Sequence, residues 1–198
     1  MTGGIVPRPI AWVTTRGLDG TVNAAPYSFF NGVAVSPMTV MIGPANREDG
    51  TDKDTLRNIA RTGEFVVNIV TEPFAREAAA TAEDLNEDES ELDYVGLDTT
   101  PSHSVGTPRI QGSPVAFECA EAQIIRFEPN VPRSGNAVFG RVVWIAVEDS
   151  LIDDRYRIDP AKLSAVGRMA GSTYVSTRHR VEIPRGRDAL AIDPPPFA

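Results

Sequence analysis

Residues 10–25, IAWVTTRGLDGTVNAA, predict two strands joined by a tight turn. The runs 10–15 and 21–25 are rich in β-branched and small apolar residues, and the Asp19-Gly20 pair between them is typical of a hairpin. Strands joined by so short a connection pair antiparallel, because parallel neighbours need a long crossover. The start of the chain therefore predicts an antiparallel sheet.

Further runs with β character follow along the chain. They are 39–42, 64–70, 115–127 and 137–147, and breaks such as Ser36-Pro37 and Ser113-Pro114 precede two of them. Because the strands come in consecutive runs and do not alternate regularly with helices, the sequence favours a mainly β fold. We expect an antiparallel β-barrel with a few peripheral α-helices.

Short helices are predicted at three places. The first follows Thr51, with Asp54 as the acid of a capping arrangement, apolar residues at helical spacing and a stop at Gly63. The other two have Pro73 and Pro160 near their first turns, where proline is favoured.

Length and charge indicate a single domain and disfavour a nucleic-acid-binding protein. The chain has 198 residues, which suits one domain over residues 1–198 with a short tail from about residue 185. Its formal net charge is −8, so nucleic acid is not an expected partner.

Between Glu83 and Asp93 there are seven acidic residues and no base, and the rest of the chain is nearly neutral. We expect this acidic segment to form a solvated helix and loop.

The sequence also indicates where the protein works. No apolar run approaches the roughly 18 residues of a membrane span, and the N-terminus has no signal-peptide pattern. We therefore expect a cytoplasmic protein with no membrane partner. The single cysteine, Cys119, lies in a predicted strand, permits no internal disulfide and is expected to pack in the interior.

Several kinds of catalytic site are disfavoured. The two histidines, His103 and His179, form no cluster with zinc-ligand spacing, and both are expected in loops or at the surface. No nucleophile elbow, Rossmann glycine turn or P-loop occurs. Neither a metal site nor a specific catalytic residue is therefore predicted.

The segment 24–32, AAPYSFFNG, is the first candidate binding element. It is interpreted as a loop after a strand, in which backbone N–H groups and the Ser28 hydroxyl lie beside a flat heterocycle while aromatic rings close the apolar side. The alternative is a strand exit whose Tyr27, Phe29 and Phe30 belong to the core.

The helix start at 51–55 is the second candidate. Free N–H groups, the positive end of the helix dipole, the Lys53 ammonium and the Thr55 hydroxyl together favour a phosphate. The alternative is an ordinary capped surface helix, and Asp54 opposes an anion unless its carboxylate is occupied locally. Taken together, the two segments suit a planar ring with one phosphate tail, a description that FMN fits.

The order of these segments resembles the flavin reductase-like family, whose members share the FMN-binding split-barrel fold. The resemblance rests on VPRPIAWVTT (6–15), NAAPYSFFN (23–31), KDTLRNI (53–59), EFVVN (64–68), and Gly167-Arg168 with Tyr174. It extends from about residue 5 to residue 184. Family members commonly carry a longer segment before Pro7, and we expect this difference to bear on dimer or cofactor contacts.

The resemblance implies an antiparallel Greek-key split β-barrel and a homodimer that holds FMN non-covalently near the subunit interface. The cofactor-binding residues that it implies are Thr14, Thr15, Ser28, Phe29, Phe30, Asn31, Lys53, Asp54, Thr55, Arg168 and Tyr174. In this scheme Lys53 and Thr55 bind the phosphate, and Asp54 orients their turn. Arg168 and Tyr174 close the site, from the same subunit or from its partner.

The function implied is that of an NAD(P)H-dependent flavin reductase. NAD(P)H would reduce the flavin, and the electrons would pass to free flavin, ferric iron or a protein acceptor. Because the flavin carries the redox chemistry, such an enzyme needs no acid–base pair of its own. The alternatives are a non-enzymatic FMN-binding electron carrier and a structural barrel with an empty site.

Overall fold

Strands dominate the structure, a computed structural model that describes residues 1–83, 85 and 89–191. The strands are β1 (Arg8–Pro9), β2 (Ala11–Arg16), β3 (Val22–Tyr27), β4 (Phe30–Val35), β5 (Met38–Ile42), β6 (Phe65–Ile69), β7 (Thr99–Thr100), β8 (Arg109–Ile110), β9 (Val115–Arg126), β10 (Asn136–Val147), β11 (Val166–Arg168) and β12 (Tyr174–Ser176). The α-helices are α1 (Asp54–Thr62), α2 (Ala75–Ala80), α3 (Glu91–Val95) and α4 (Pro160–Leu163), with 3-10 turns at Glu72–Phe74, Asp149–Leu151 and Gly186–Ala191. The mainly β prediction is confirmed, and none of the described helices combines the length and apolarity that a membrane crossing requires.

The main sheet has seven strands in the order β3-β2-β6-β9-β10-β5-β4, and all neighbours are antiparallel. Its two edge strands, β3 and β4, are consecutive in the chain and are separated only by Ser28 and Phe29. Because one residue spans at most about 3.6 Å, the end of β3 and the start of β4 lie within about 11 Å of each other. The sheet therefore curls into a barrel with an open seam at Ser28 and Phe29.

Both faces of β2 are buried, which explains its nearly continuous apolar sequence. Ala11 and Val13 point into the barrel interior with Phe65 and with Leu56 of α1, which packs against that interior. Trp12 points the other way, into a second cluster that includes Ala78 of α2 and Leu92 of α3. The alternation follows from the two-residue period of a strand and places α2 and α3 on the outside of the barrel.

A buried carboxylate holds the connection between β7 and β8 against the barrel. Glu118 of β9 has no exposed surface and accepts hydrogen bonds from the backbone N–H groups of His103, at 2.9 Å, and Ser104, at 2.7 Å. The Nε of Arg109 lies 3.8 Å from the same carboxylate. Further along the connection, the Thr14 hydroxyl donates to the carbonyl of Pro108 at 2.7 Å. Side chains of the barrel therefore fix the path of this loop.

The expectations for the cysteine and the histidines are confirmed. Cys119 is fully buried in the barrel core, and that burial raises the pKa of its thiol. His179 is exposed. His103 is also exposed and stacks on Trp144, with 3.7 Å between the ring centroids.

Two local expectations are wrong. The segment 24–32 is not a single loop, because β3 continues to Tyr27 and β4 begins at Phe30. The acidic segment is not wholly solvated, since Glu91 in α3 is buried. Residues 84 and 86–88 of that segment, and residues 192–198 of the predicted tail, lie outside the described residues.

Candidate functional site

A cavity of about 270 Å³ opens at the barrel seam, beside the start of α1. Its described walls come from β3 and the Ser28-Phe29 turn, from the stretch after β5, from the start of α1, and from the region after α2. The residues that line it are Asn23, Ala25, Pro26, Tyr27, Ser28, Phe29, Gly43, Ala45, Lys53, Asp54, Thr55, Thr81, Ala82, Glu83, Leu85 and Glu91. The fold therefore brings together the two segments that the sequence singled out.

Five of the eleven residues predicted to bind the cofactor line this cavity. They are Ser28, Phe29, Lys53, Asp54 and Thr55. Ser28 is half-buried, and Phe29 is exposed at the rim. A hydroxyl and an aromatic ring thus lie on one wall, and the start of a helix lies on another.

The start of α1 differs from the predicted capping arrangement. Lys53 is the N-cap residue, with an extended backbone, and no side chain of the described residues caps the first N–H groups. The Thr51 hydroxyl donates instead to Asp49, at 2.6 Å. The Asp54 carboxylate is occupied by ion pairs with Arg47 and Arg57. Within the described part of the chain, no side chain caps the positive end of this nine-residue helix, which therefore favours an anion in the cavity.

The hydroxyl of Thr55 is committed to a buried network. It donates to Oδ1 of Asn23 at 2.8 Å, and the Thr15 hydroxyl donates to the same oxygen at 3.1 Å. The Asn23 amide in turn donates to Glu91 at 2.7 Å. Thr55 can therefore offer an anion its backbone N–H while its hydroxyl proton stays with Asn23. The network fixes β2, β3, α1 and α3 relative to one another.

The structure does not place the remaining six predicted residues on the cavity wall. Thr14 and Thr15 are fully buried within the sheet, where their hydroxyls bond to Pro108 and Asn23. The strand has both faces covered, and that is why neither hydroxyl reaches the cavity. That Thr14 and Thr15 face the flavin stays a prediction, and neither residue lines the cavity of a single chain.

The other four predicted residues lie on strands β4, β11 and β12. Phe30 packs against the barrel core, and Asn31 is exposed on the edge strand β4. Arg168 and Tyr174 pair with each other across the β11–β12 hairpin, where the Arg168 guanidinium donates to the Tyr174 hydroxyl at 2.5 Å. Within one chain these four side chains do not join the cavity.

One residue beside the cavity was not among the predicted ligands. Arg8 lies in the Pro-Arg-Pro run, and its guanidinium donates to the hydroxyl of Ser28 at 3.1 Å and lies over the Phe29 ring. The signal in the sequence was a basic residue between two prolines directly before a buried strand. That pattern marked a motif without indicating that the side chain turns inward.

The Glu91 carboxyl, which lines the cavity, makes the stability of the folded protein depend on pH. Burial raises the pKa of this carboxyl, although hydrogen bonds from the Ala24 N–H and the Asn23 amide lower it in part. A carboxyl whose pKa is higher in the folded protein binds its proton more tightly there. Its contribution to stability is therefore present below the unfolded pKa and is lost as the pH rises through the folded pKa.

Replacement of Glu91 by Gln is expected to remove this pH dependence. Over the pH range above the ordinary pKa of a glutamate, about 4.3, the wild-type free energy of unfolding should fall relative to that of Glu91→Gln, because only the wild type must ionise a buried carboxyl. Urea denaturation across this range measures the difference. Asp93→Asn, at an exposed acid on the same helix, is the control. Parallel pH profiles for wild type and Glu91→Gln would contradict the expectation.

Comparison with solved structures identifies similar proteins. Nitrilotriacetate monooxygenase component B from Bacillus cereus is 33% identical with a TM-score of 0.86, covering 92% of this chain and 90% of its own. The 2-nitrobenzoate 2-nitroreductase NbaA of Pseudomonas fluorescens is 36% identical with a TM-score of 0.84, covering 94% and 88%. A Shewanella frigidimarina protein assigned as a flavin reductase with a split-barrel domain is 18% identical with a TM-score of 0.76, covering 91% and 86%.

These similarities confirm the split-barrel fold that the sequence predicts. The model of the flavin reductase like domain family matches residues 2–161, which include the barrel, the cavity and the start of α1. The predicted resemblance is thereby confirmed. The chain belongs to the flavin reductase like domain family.

Proposed function

We propose that this protein binds FMN non-covalently in the seam cavity and is a flavin reductase-type oxidoreductase. In this proposal it takes electrons from NAD(P)H and passes them to a flavin, ferric or protein acceptor. The observation that carries the proposal is that a helix start which no described side chain caps meets a wall that holds a hydroxyl and an aromatic ring. Family membership, and the oxidoreductase names of the relatives that are 33% and 36% identical, support it.

The residues present fit a phosphorylated flavin. The phosphate would lie at the start of α1, held by backbone N–H groups and the Lys53 ammonium. Asp54 does not oppose it directly, because Arg47 and Arg57 pair with that carboxylate. The flavin, when bound, supplies the hydride and electron chemistry.

The ring would lie along the wall formed by 25–29. Gly43 helps to shape this wall, since a Cβ there would lie 2.8 Å from the Cβ of Phe29. Ser28 offers a hydroxyl, and Phe29 offers an apolar face that shields the ring from water. In this proposal the chain binds and orients the cofactor.

We also propose that two copies complete the site. The cavity of about 270 Å³ in one chain is smaller than most cofactor pockets, which occupy roughly 300–1,000 Å³. Edge strand β4 exposes Val33 and Val35, and Met38 at the start of β5 is also exposed. An uncovered apolar edge of this kind favours association. A second copy on this edge would bring further side chains towards the seam, and Phe30, Asn31, Arg168 and Tyr174 are the candidates.

The dimer proposal predicts that Val35→Asp shifts the protein towards a monomer, because a charge would be buried in the interface. Sedimentation velocity over a range of protein concentrations measures this shift. Val131→Asp, at another exposed valine, is the control. A wild-type protein that stays monomeric at high concentration would refute the dimer.

Titration and turnover test the function itself. FMN added to the protein should perturb its visible absorption and saturate, and riboflavin should bind more weakly because it lacks the phosphate. NADH or NADPH should then be oxidised when FMN, FAD or ferric iron is present as acceptor. A protein that binds FMN and oxidises neither nucleotide is an electron carrier, and one that binds no flavin refutes the proposal.

A further inference from the structure

The most deeply buried cation of the described residues lies directly behind the seam cavity. Arg8 is 6% exposed and is the only arginine or lysine that is more than nine-tenths buried there. Its guanidinium makes four hydrogen bonds: Nε to the Ser28 hydroxyl at 3.1 Å, Nη1 to the carbonyls of Thr2 at 2.7 Å and Ile5 at 3.0 Å, and Nη2 to the carbonyl of Met169 at 3.0 Å. Its position is therefore fixed from three parts of the chain.

All four acceptors of Arg8 are neutral. No carboxylate of the described residues lies within ion-pair distance of Arg8, whereas the half-buried Arg47, Arg57 and Arg126 each pair with an aspartate. A buried charge is costly unless an opposite charge compensates it. The positive charge of Arg8 is thus hydrogen-bonded but not neutralised by any carboxylate in the described part of the chain.

Arg8 lies against the cavity wall, so that its charge can act on a group bound in the cavity. The Cζ of Arg8 is 5.8 Å from the centroid of the Phe29 ring, and both Ser28 and Phe29 line the cavity. In a partly buried environment the effective dielectric constant is far below that of water, so the charge acts across the thickness of this wall. An anion in the cavity would lie within its reach.

The hydrogen bond to Ser28 has a second effect. A serine hydroxyl has one proton to donate and two lone pairs that accept. Because Arg8 Nε donates to Ser28, one lone pair is occupied and the hydroxyl proton points elsewhere. Ser28 is thereby prepared as a donor to an acceptor atom in the cavity.

We infer that Arg8 is a positioning residue which orients Ser28 as a donor and whose charge favours the reduced, anionic form of a bound flavin. The inference rests on the proposed function. Uptake of two electrons and one proton by a neutral flavin ring leaves one negative charge on it, and a fixed cation stabilises that charge without reorganisation. Arg8 therefore sets how easily the flavin is reduced, in addition to how tightly it binds.

The test compares the affinities for oxidised and reduced FMN through the midpoint potential of the bound flavin. In Arg8→Gln, the preference for reduced over oxidised FMN should fall about tenfold, which lowers the two-electron potential by about 30 mV. Arg157→Gln removes the same charge from an exposed arginine paired with Asp153 and should leave the potential unchanged. Ser28→Ala should weaken binding of oxidised FMN, and this effect should shrink when Arg8 is already Gln.

Arg8→Lys keeps the inference testable if Arg8→Gln does not fold. Lysine retains the charge near neutral pH and loses it as the pH approaches its pKa, ordinarily about 10.4. The potential of FMN bound to Arg8→Lys should therefore match the wild type near pH 7 and fall below it as the pH rises. Circular dichroism at each pH reports whether the variant is folded.

A purely structural role predicts a different pattern. Both redox forms of FMN would then bind more weakly by the same factor, and the potential would not change in Arg8→Gln or with pH in Arg8→Lys. That result overturns the inference and leaves the proposed function intact. A wild-type protein that binds no FMN overturns both.

Discussion

Replacement of Glu118 by Ala is expected to lower the free energy of unfolding by about 3–5 kcal/mol, the usual cost of removing one partner from a buried ionic contact. The carboxylate is fully buried and accepts the backbone N–H groups of His103 and Ser104. Its removal leaves these two donors unpaired and Arg109 without its nearby counter-charge. The loop between β7 and β8 would lose its main attachment to the barrel.

Urea denaturation of Glu118→Ala beside the wild type measures this loss. Glu121→Ala is a matched control, because Glu121 lies on the same strand but is exposed and pairs with Arg141 at the surface. A surface pair contributes about 0–1 kcal/mol, so the control should be close to the wild type. If Glu118→Ala lowered the free energy of unfolding no more than Glu121→Ala does, water would be able to replace Glu118 as the acceptor for the loop N–H groups.

Replacement of Lys53 by Ala is expected to weaken FMN binding by roughly 1.5–3 kcal/mol, as for a lost charge-assisted hydrogen bond. This corresponds to about a ten- to hundredfold rise in the dissociation constant. The reason is the position of Lys53 as the N-cap of α1, where its ammonium adds to the positive end of the helix beside the cavity. Riboflavin, which has no phosphate, should bind wild type and variant about equally.

The chain supplies its own control for this measurement, because it has only two lysines. Lys162 is exposed in α4, and its ammonium donates to the Ser150 carbonyl, away from the seam cavity. Lys162→Ala should leave FMN affinity unchanged. An unchanged dissociation constant for FMN in Lys53→Ala would remove this residue from the proposed phosphate site.

The sequence predicted the elements whose signals are local. The Asp19-Gly20 turn gives the β2–β3 hairpin, with Arg16 opposite Val22. Gly63 ends α1 in the left-handed conformation. Asp159 caps α4 by accepting from the N–H groups of Ala161 and Lys162. In each case the residues that decide the structure lie within a few positions of one another.

The failures involve partners that are distant in the chain or that compete locally. The capping role of Thr51 and Asp54 is absent because Asp49 takes the hydroxyl, and Arg47 and Arg57 take the carboxylate. The burial of Arg8 was not visible from sequence because its acceptors include Ser28, 20 residues away, and Met169, 161 residues away. The sequence predicted that the segments 24–32 and 51–55 share one ligand, and the fold brings residues of both into one cavity.

Residues 1–5 are exposed, and the exposure of their side chains alone suggests that they could be deleted without loss of stability. Their main chain shows otherwise, because the carbonyls of Thr2 and Ile5 are two of the four acceptors of Arg8. Deleting these residues would leave buried guanidinium donors unpaired, at a cost that no exposed side chain reveals. A shortened protein should therefore keep the residues whose backbone carbonyls bind Arg8. Deleting them would change the electrostatics of the proposed flavin site, although no side chain of that site is altered.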